Sequence, residues 1–226
     1  MQCVILAAGR GTRMGELTKE LPKPMIEVLG LPILAHKIDM LPASFHEVIL
    51  VVGYRKEVIT EYFGDEWNGR TITYVEQREL NGTAGAVHFV KDLVYDRFLV
   101  TMGDDIYATE DIEKLMQHPL ALLGYYTQDA ASFGLVTIDD ANHLMGVVER
   151  PHRLGEGLVN TGAYILNTDF FSYPPVPISE TEFGLPQTLV KMSLDYPVMV
   201  EVTTRWLPFG NPNDVALAER LLAAKQ

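Results

Sequence analysis

The sequence predicts an α/β protein built around a doubly wound, mostly parallel β-sheet. Three observations support this fold class. The early strand-like runs are continuously apolar, as in residues 48–52, which is typical of strands covered on both faces. These runs alternate along the chain with segments of helical periodicity. The chain also has 226 residues, of which 47% are hydrophobic, and this is enough for one large domain with a sizeable core.

The first half of the chain supplies most of the alternation. Strand-like runs lie near residues 2–7, 47–52, 71–76, 97–102 and 120–126. Helical patterns lie near residues 32–42, 55–63, 83–93, 109–117, 186–194 and 213–224. Because ligands of such sheets bind beyond the carboxyl ends of the strands, we expect functional residues to follow the strands at 2–7 and 97–102.

The second half of the chain shows a different pattern. Residues 133–138 and 144–149 predict a hairpin around a polar turn, and residues 158–167 predict one further strand. The proline-rich residues 173–177 predict a surface loop. Since the sequence contains no internal repeat, flexible linker or low-complexity tract, we expect residues 1–226 to form a single domain.

Composition and charge exclude several classes of protein. A net charge of −12 argues against a general nucleic-acid binder. Cys3 is the only cysteine, which excludes an intrachain disulfide and a thiolate zinc site. No stretch approaches the about 18 apolar residues of a membrane span, and no signal peptide is visible. The histidines have no metal-binding spacing, and H-E-x-x-H and G-x-S-x-G motifs are lacking. We therefore expect a cytoplasmic protein that binds neither nucleic acid nor membranes.

A glycine loop follows the first apolar run. Residues 9–15 read Gly-Arg-Gly-Thr-Arg-Met-Gly, and residues 22–24 read Pro-Lys-Pro. Glycine lets backbone N–H groups approach an anion closely, because no Cβ stands in the way. Arg10, Arg13 and Lys23 add positive charge that suits the phosphates of a polyanion. The loop therefore predicts a triphosphate site.

Two other glycine-loop motifs do not fit. The dinucleotide fingerprint G-x-G-x-x-G requires glycine at the position of Met14. The P-loop requires Gly-Lys-Ser/Thr after four intervening residues, which this chain lacks. The remaining alternative is a tight turn with solvated charges.

An acidic pair follows the fourth strand-like run. Gly103 is followed by Asp104 and Asp105, and a carboxylate at the end of a buried strand is costly unless it is paired or metal-bound. Mg²⁺ accepts one or two carboxylates together with phosphate oxygens. The pair is therefore expected to be paired with a cation or bound to a metal at the same edge of the sheet as the glycine loop, although capping of the next turn is the alternative.

Residues 6–14 (Leu-Ala-Ala-Gly-Arg-Gly-Thr-Arg-Met) and 22–24 resemble the signature of the sugar-1-phosphate nucleotidyltransferases, L-A-A-G-x-G-T-R-M/L followed by P-K-P. The resemblance implies a Rossmann-like, GT-A-like fold with a small sugar-facing β lobe. It implies a nucleotide-binding half over residues 1–130 and a sugar-binding half over 131–226. The implied reaction joins a nucleoside triphosphate to a sugar 1-phosphate and releases pyrophosphate. The resemblance leaves a homo-oligomer open.

The resemblance also implies roles for individual residues. Arg13 would stabilise the leaving pyrophosphate, Lys23 would neutralise the α-phosphate, and Asp104 would hold Mg²⁺. The implied nucleotide-binding residues are Leu6, Ala8, Gly9, Arg10, Gly11, Thr12, Gln77, Gly82 and Thr83. The implied sugar-phosphate-binding residues are Gly134, Glu149, Arg150 and Asn160.

Gln77 indicates which base is bound. Residues 77–84 resemble the family's base-reading segment Q-x-x-x-x-G-T-A. A glutamine amide offers one acceptor and a pair of donors, which suits uracil or thymine, whereas a carboxylate suits guanine better. We therefore expect UTP or dTTP. The alternative is that Gly82 and Thr83 only start a helix.

The sugar-binding motifs lie in the second half. Glu149-Arg150-Pro151 resembles the family's E-K-P, with Arg150 in place of the usual lysine, and Asn160-Thr161-Gly162 matches its N-T-G. Gly134 matches a glycine whose backbone faces the sugar. Taken singly, each of these residues could instead form a turn or a surface ion pair.

The chain departs from the family pattern at Pro208. Relatives commonly read W-x-D-x-G, where the aspartate is a second metal ligand, whereas residues 206–210 read Trp-Leu-Pro-Phe-Gly. Asn211 and Asp214 lie nearby, but Asn211 followed by Pro212 also reads as a helix N-cap and N1. Two other functions therefore stay open: a nucleotide-sugar sensor with little turnover, and a cytidylyltransferase that acts on a non-sugar phosphate.

Overall fold

A ten-stranded mixed sheet forms the centre of the structure, a computed structural model that describes residues 1–149 and 155–223, apart from the side chains of Arg13 and Leu221. Its helices are α1 (Ile33–Asp39), α2 (Lys56–Phe63), α3 (Gly82–His88), α4 (Thr109–Leu115), α5 (Leu185–Met192) and α6 (Asp214–Ala223). Its strands are β1 (Gln2–Ala7), β2 (Glu27–Val28), β3 (Leu31–Pro32), β4 (Glu47–Val52), β5 (Glu66–Trp67), β6 (Arg70–Glu76), β7 (Arg97–Met102), β8 (Asp105–Tyr107), β9 (Ala121–Thr127), β10 (Gly134–Ile138), β11 (Leu144–Glu149), β12 (Gly157–Asn167), β13 (Val176–Pro177), β14 (Phe183–Gly184), β15 (Met199–Thr203) and β16 (Trp206–Pro208).

The parallel part of the sheet contains β6, β4, β1 and β7 in that spatial order. Strand β1 lies at its centre, where Cys3 is paired with Val48 of β4 on one side and with Leu99 of β7 on the other. Strand β12 pairs antiparallel with β7 and connects this part to β9, β10, β11 and β15. The second half of the chain thus extends the same sheet.

Helices cover both faces of the sheet. Neighbouring residues of a strand point to opposite faces, so Cys3 packs with α1, α2 and α4, whereas Val4 packs with α3 and α5. Both side chains are fully buried. This arrangement confirms the predicted doubly wound, mostly parallel α/β fold and explains why the strands read as continuous apolar runs.

Most predicted elements agree with the structure to within a few residues. The largest difference is at α3, which was predicted over 83–93 but ends at His88. Beyond it the chain continues in turns, in which Leu93 N–H donates to the carbonyl oxygen of Val90, three residues back. The proline-rich residues 173–177 are not wholly a loop, because Val176–Pro177 pairs with β14.

Three loops meet at the carboxyl ends of β1, β4 and β7. Tyr54 N–H donates to the carbonyl oxygen of Ala8 at 3.2 Å, and Gly103 N–H donates to that of Leu6 at 2.9 Å. A Cβ on Gly53 would lie 2.9 Å from Ala8 O, which is too close for any other residue. This close packing brings the two predicted phosphate and metal motifs to one edge of the sheet. Within the described residues, no helix has the length and apolar character needed to cross a membrane.

Candidate active site

The glycine loop turns sharply at Gly11. This residue has φ 63°, ψ 34°, in the left-handed region, and its carbonyl oxygen accepts hydrogen bonds from Met14 N–H at 2.9 Å and Thr18 Oγ1 at 3.0 Å. A Cβ on Gly11 would lie 2.7 Å from the Cβ of Lys23. Glycine at this position is therefore required twice, by the backbone conformation and by the lysine packed against it. The loop and the Pro-Lys-Pro segment form one packed unit.

Lys23 and Asp104 form the central contact of the site. Lys23 is only 6% exposed, and its Nζ lies 2.5 Å from Asp104 Oδ2. The Asp104 side chain is 31% exposed and faces solvent in part. Two of the three predicted catalytic residues are therefore in direct contact, although 81 positions separate them. The backbone of Arg13 lies in the 3₁₀ turn Thr12–Thr18 after Gly11, and its side chain is outside the described part of the structure.

A buried group of polar residues lies beneath this contact. Asp105 begins β8, and burial together with the charge of Asp104 raises its pKa. Its carboxylate accepts a hydrogen bond from the Phe209 N–H and lies 3.5 Å from the Tyr107 hydroxyl. Burial raises the pKa of Tyr107, so the hydroxyl stays protonated and donates to Thr161 O at 2.8 Å. The acidic end of β7 is thereby connected to the N-T-G segment of β12.

Six of the nine predicted nucleotide-binding residues line one cleft of about 280 Å³. They are Leu6, Ala8, Gly9, Gln77, Gly82 and Thr83. The others, Arg10, Gly11 and Thr12, belong to the loop beside this cleft. The exposed Arg10 guanidinium lies 5.9 Å from the centroid of the Tyr54 ring. The structure thus brings the glycine loop and the Q-x-x-x-x-G-T-A segment to one cavity.

Gln77 is held at the base of this cleft. It is 7% exposed, and its Nε2 donates to Asn81 Oδ1 at 3.2 Å. Helix α3 does begin at Gly82, but its N-cap residue is Asn81, whereas Thr83 lies inside the helix. The Thr83 hydroxyl accepts a hydrogen bond from Leu185 N–H at 3.0 Å, which links α3 to the start of α5. A helix start alone therefore does not account for these residues.

The predicted sugar-binding residues form two groups. Gly134 lies directly opposite Glu149 in the β10–β11 ladder, and Glu149 Oε1 accepts a hydrogen bond from Gln187 Nε2 at 3.1 Å. Asn160 donates from Nδ2 to the Tyr164 hydroxyl at 2.7 Å and accepts from Gly162 N–H at 3.0 Å. Among the described residues, no hydrogen bond joins either group to Lys23 or Asp104. Arg150 lies outside the described residues.

The Asn160 group nevertheless lies close to the acidic end of β7. A Cβ on Gly162 would meet Met102 Cγ at 2.6 Å and would lie 3.7 Å from Asp105 Oδ2. Gly162 has φ 81°, so both its conformation and its surroundings require glycine. The N-T-G segment thus bends around the end of β7.

Pro208 lies next to the acidic pair in space. Strand β16 runs antiparallel to β8 and pairs Pro208 with Asp105. Asp214 and Asn211 are engaged elsewhere, because Asp214 Oδ2 accepts from Gly210 N–H at 2.6 Å and from Asn211 N–H at 2.8 Å. In residues 1–149 and 155–223, no group of three or more histidine, cysteine or acidic residues is arranged to hold a metal.

The predicted helix start near Asn211 needs a small correction. Helix α6 begins at Asp214, and Asn211 Oδ1 accepts from Asn213 N–H at 3.0 Å in the turn before it. Asn211 therefore stabilises the entry to α6 without being its N-cap, because Pro212 and Asn213 form a turn ahead of the first helical residue.

Lys37 was not among the predicted site residues. It lies on α1, is 4% exposed, and its Nζ lies 4.2 Å from the centroid of the Tyr107 ring. Burial lowers its pKa, and the charge of Asp105 opposes this effect. A signal was present in the sequence, since Lys37 is a charge on the apolar face of a helical pattern.

Known proteins resemble this chain in sequence and in fold. The family model described as nucleotidyl transferase matches residues 2–223. The bifunctional protein GlmU of Methanocaldococcus jannaschii is 33% identical over 228 residues, which cover 100% of this chain and 55% of that protein. The UTP–glucose-1-phosphate uridylyltransferase AglF of Haloferax volcanii is 36% identical over 179 residues, covering 76% of this chain and 74% of that protein. The chain spans about half the length of the GlmU relatives it matches.

Solved structures give the same fold. HddC from Yersinia pseudotuberculosis, in a crystal structure complexed with GMP-PN, superposes with a TM-score of 0.77 at 26% identity, covering 98% of this chain and 99% of HddC. A putative glucose-1-phosphate thymidylyltransferase from Bacillus anthracis superposes with a TM-score of 0.83 at 22% identity, covering 98% of this chain and 94% of that one. The second likeness shows the fold alone.

Proposed function

Because this chain belongs to the nucleotidyl transferase family, we propose that it transfers a nucleotidyl group from a nucleoside triphosphate to a sugar 1-phosphate. The observation that carries the proposal is the contact between Lys23 and Asp104, 2.5 Å long, at the end of the parallel strands beside the glycine loop. The buried ammonium of Lys23 can bind phosphate oxygens, and the partly exposed carboxylate of Asp104 can bind a cation. A phosphate transfer needs both charges.

The reaction needs no covalent intermediate with the protein. An oxygen of the sugar 1-phosphate attacks the α-phosphorus, the bond from that phosphorus to the bridging oxygen breaks, and pyrophosphate leaves with the bonding electron pair. Catalysis of this kind depends mainly on positioning and charge stabilisation. In the proposal, Lys23 neutralises the α-phosphate, Arg13 stabilises charge on the leaving group, and the N–H groups of Gly9 and Gly11 face the phosphate tail.

The residues at the end of β7 fit a divalent cation that takes most of its ligands from the substrates. Asp104 presents a carboxylate that is 31% exposed, and Mg²⁺ is commonly held by one or two carboxylates with phosphate oxygens and water. We assign Asp104 as the protein ligand of Mg²⁺. When bound, the ion would offset the negative charge of the phosphates. Lys23 must then exchange its contact with Asp104 for one with phosphate.

Gln77 supports UTP or dTTP as the nucleotide. Its amide is nearly buried at the base of the cleft lined by Leu6, Ala8, Gly9 and Gly82, and it can pair with the N3–H and O4 of uracil or thymine. The relatives do not decide the base. They include a uridylyltransferase and, at 34% identity over 177 residues, the D-glycero-alpha-D-manno-heptose 1-phosphate guanylyltransferase of Campylobacter jejuni.

The sugar 1-phosphate is proposed to bind on the other side of the acidic pair. Glu149 would accept from sugar hydroxyls beside the backbone of Gly134, Asn160 would contact the ring, and Arg150 would take the phosphate. Residues 131–226 would then form the sugar-binding half of a single domain, and residues 1–130 the nucleotide-binding half. The bend of β12 at Gly162 supports this division, because it brings Asn160 toward the end of β7.

A screen of pyrophosphate release tests the proposal. Four nucleoside triphosphates are combined with a panel of sugar 1-phosphates and with phosphocholine, and release is expected with UTP or dTTP and a sugar 1-phosphate. Asp104→Ala and Arg13→Ala should each lose ~10²-fold or more in rate, as is usual for one preorganised charge. Asp140→Ala, at an exposed aspartate, is the matched control. Wild-type rates in Asp104→Ala, or no release with any pair, would contradict the assignment.

A second candidate is a sensor that binds nucleotide sugars with little turnover. Pro208 favours it, since proline offers no metal ligand at the position opposite Asp105. The same screen separates the two functions. Tight binding of a nucleotide sugar, with no pyrophosphate release from any pair, would favour the sensor.

A further inference from the structure

Lys37 is a buried charge that the proposed reaction does not use. It is 4% exposed, and its Nζ makes no hydrogen bond within the described part of the chain. An ammonium in the protein interior is costly unless it is paired, and the Tyr107 ring at 4.2 Å offsets only part of that cost. Burial lowers the Lys37 pKa to about 8. The charge of Asp105 opposes this shift, but no oxygen accepts a hydrogen bond from Nζ within the described residues, so the ammonium still needs an acceptor.

A small cavity beside Lys37 supplies room for that partner. The void has a volume of about 10 Å³ and lies between α1, β7 and β8, with Lys37, Thr101 and Tyr107 on its wall. Thr101 is 1% exposed, and its Oγ1 lies beside the buried Cys3 thiol with no nitrogen or oxygen partner among the residues described. A cavity of about 10 Å³ is at the lower limit of the size that holds one water molecule. One water that accepts from Lys37 Nζ and donates to Thr101 Oγ1 would give the ammonium a hydrogen-bond acceptor, while the Thr101 hydroxyl hydrogen faces the Cys3 thiol.

Both groups are connected to the candidate active site. Thr101 lies on β7, three residues before Asp104. The Lys37 ammonium lies over the Tyr107 ring, and the Tyr107 hydroxyl donates to Thr161 O at 2.8 Å. Thr161 directly follows Asn160 in the bend of β12. The buried ammonium thus lies between the segment that carries Asp104 and the segment that carries Asn160.

We propose that Lys37, through one buried water shared with Thr101 and through the Tyr107 ring, is a positioning residue that holds Asp104 and Asn160 in register. The inference rests on the proposed function of the site. Lys37 touches no substrate, and it acts only through Thr101 on β7 and Tyr107 on β8.

Stability distinguishes this role from a purely structural one. A buried charge is often less stabilising than an apolar side chain of similar volume, because desolvation of the charge is not fully repaid. Lys37→Met should therefore leave the melting temperature unchanged or raise it. A residue that breaks a packing rule at a cost in stability is expected where function requires it. The expected signature is a more stable and less active protein.

The first experiment compares Lys37→Met with Lys91→Met, which removes an exposed lysine on the opposite face. Lys37→Met should lower kcat about tenfold, which is the smallest loss usually seen when a group that orients a metal ligand is removed. The KM values for the nucleotide and for the sugar 1-phosphate should stay within about twofold of the wild type. Lys91→Met should match the wild type in kcat and melting temperature. A wild-type kcat in Lys37→Met, or a loss of activity accompanied by a lower melting temperature, would overturn the proposal.

The second experiment tests the water. A crystal structure of the wild type at high resolution should show one water between Lys37 Nζ and Thr101 Oγ1, whether or not the protein is active on the screened substrates. Thr101→Val should lower kcat, Thr101→Ser should keep it, and the double variant Lys37→Met/Thr101→Val should be no slower than Lys37→Met alone. A dry void in the wild type, or losses that multiply in the double variant, would refute the water-held arrangement.

Failure of the proposed function would be recognised separately. It would appear as absent pyrophosphate release in the wild type, whereas the melting temperatures and the crystallographic water do not depend on turnover. A dry void beside a fully active wild type would reject the inference and keep the function.

Discussion

Pro208 lies directly opposite Asp105 in the antiparallel ladder between β8 and β16. In the resemblance to the W-x-D-x-G pattern, this proline stands at the position of the aspartate. Asp104 is therefore left as the accessible carboxylate of the acidic pair, because Asp105 is buried and hydrogen-bonded to the backbone of Phe209. We expect the nucleotide to supply most of the remaining ligands of a bound cation.

Pro208→Asp should add the missing ligand. We expect the affinity for Mn²⁺ in the absence of nucleotide to rise about tenfold or more, since a second carboxylate would complete a cation site with Asp104. Titration calorimetry without nucleotide measures this affinity. Pro208→Asn, which adds a neutral side chain of the same size, is the control and should bind less tightly than the aspartate variant. Equal affinities in the two variants would show that position 208 does not face the cation.

Gly11→Ala should destabilise the glycine loop. The new Cβ would meet Lys23 Cβ at 2.7 Å and would stand on a backbone with positive φ, so we expect a loss of about 1 kcal/mol or more in the free energy of unfolding. Urea denaturation measures the loss. Gly9→Ala is the matched control for stability, because its Cβ would meet nothing within 4 Å. Similar losses in both variants would mean that contact with Lys23 is unimportant.

Lys23→Met should remove the positive charge at the centre of the site. We expect kcat to fall ~10²-fold, the usual effect of losing one preorganised charge, while the protein still folds because Asp104 can be solvated. Pyrophosphate release and circular dichroism test the two parts. Lys19→Met removes an exposed lysine that pairs with Glu16 at 2.7 Å and should keep the wild-type rate. A decrease in kcat below about twofold in Lys23→Met would exclude Lys23 as the phosphate-binding charge.

Gln77→Glu should change the preference for the base. A carboxylate accepts from the two adjacent donors of guanine, so kcat/KM for GTP relative to UTP should rise roughly 5- to 150-fold, the range expected for one bidentate contact. Steady-state kinetics with both nucleotides measures the ratio. Gln117→Glu makes the same change at an exposed position and should leave the ratio unaltered. An unchanged ratio in Gln77→Glu would remove Gln77 from base recognition.

The pH dependence of stability should report the buried ammonium. Burial lowers the Lys37 pKa from 10.5 to about 8, so between these pH values the unfolded chain binds a proton that the folded chain lacks. Stability contributed by this group therefore rises with pH in that window. Any advantage in unfolding free energy of Lys37→Met over the wild type at pH 7 should shrink as the pH approaches 10. A constant advantage would mean that Lys37 is not desolvated.

Local patterns were sufficient for the strands and for the first motifs. Strands β1, β4 and β7 are apolar throughout because both of their faces are covered, and this is visible in any short window of the chain. The glycine loop and Asp104 each follow such a strand, and parallel strands bring their carboxyl ends together. The meeting of the glycine loop with Asp104 therefore follows from the sequence pattern, and the packing of Lys23 against Gly11 adds the lysine to it.

Other features depend on contacts between distant segments. The register that sets Pro208 opposite Asp105 is one example, and the burial of Lys37 against Tyr107 is another. The N-cap of α3 is a third example. Asn81 occupies that position, and the Thr83 hydroxyl accepts a hydrogen bond from Leu185 N–H at the start of α5, 102 residues away. A sequence window contains only one side of each of these contacts.

The sequence by itself determined the α/β class, the order of the main elements and the edge of the sheet at which the charged motifs gather, because hydrophobic period and strand direction are local properties of the chain. Only the tertiary structure decided which carboxylate of the acidic pair is accessible, how β12 bends beside it, and where the buried Lys37 ammonium lies. These depend on register and packing between residues far apart in sequence, and their free energies exist only once the fold has formed.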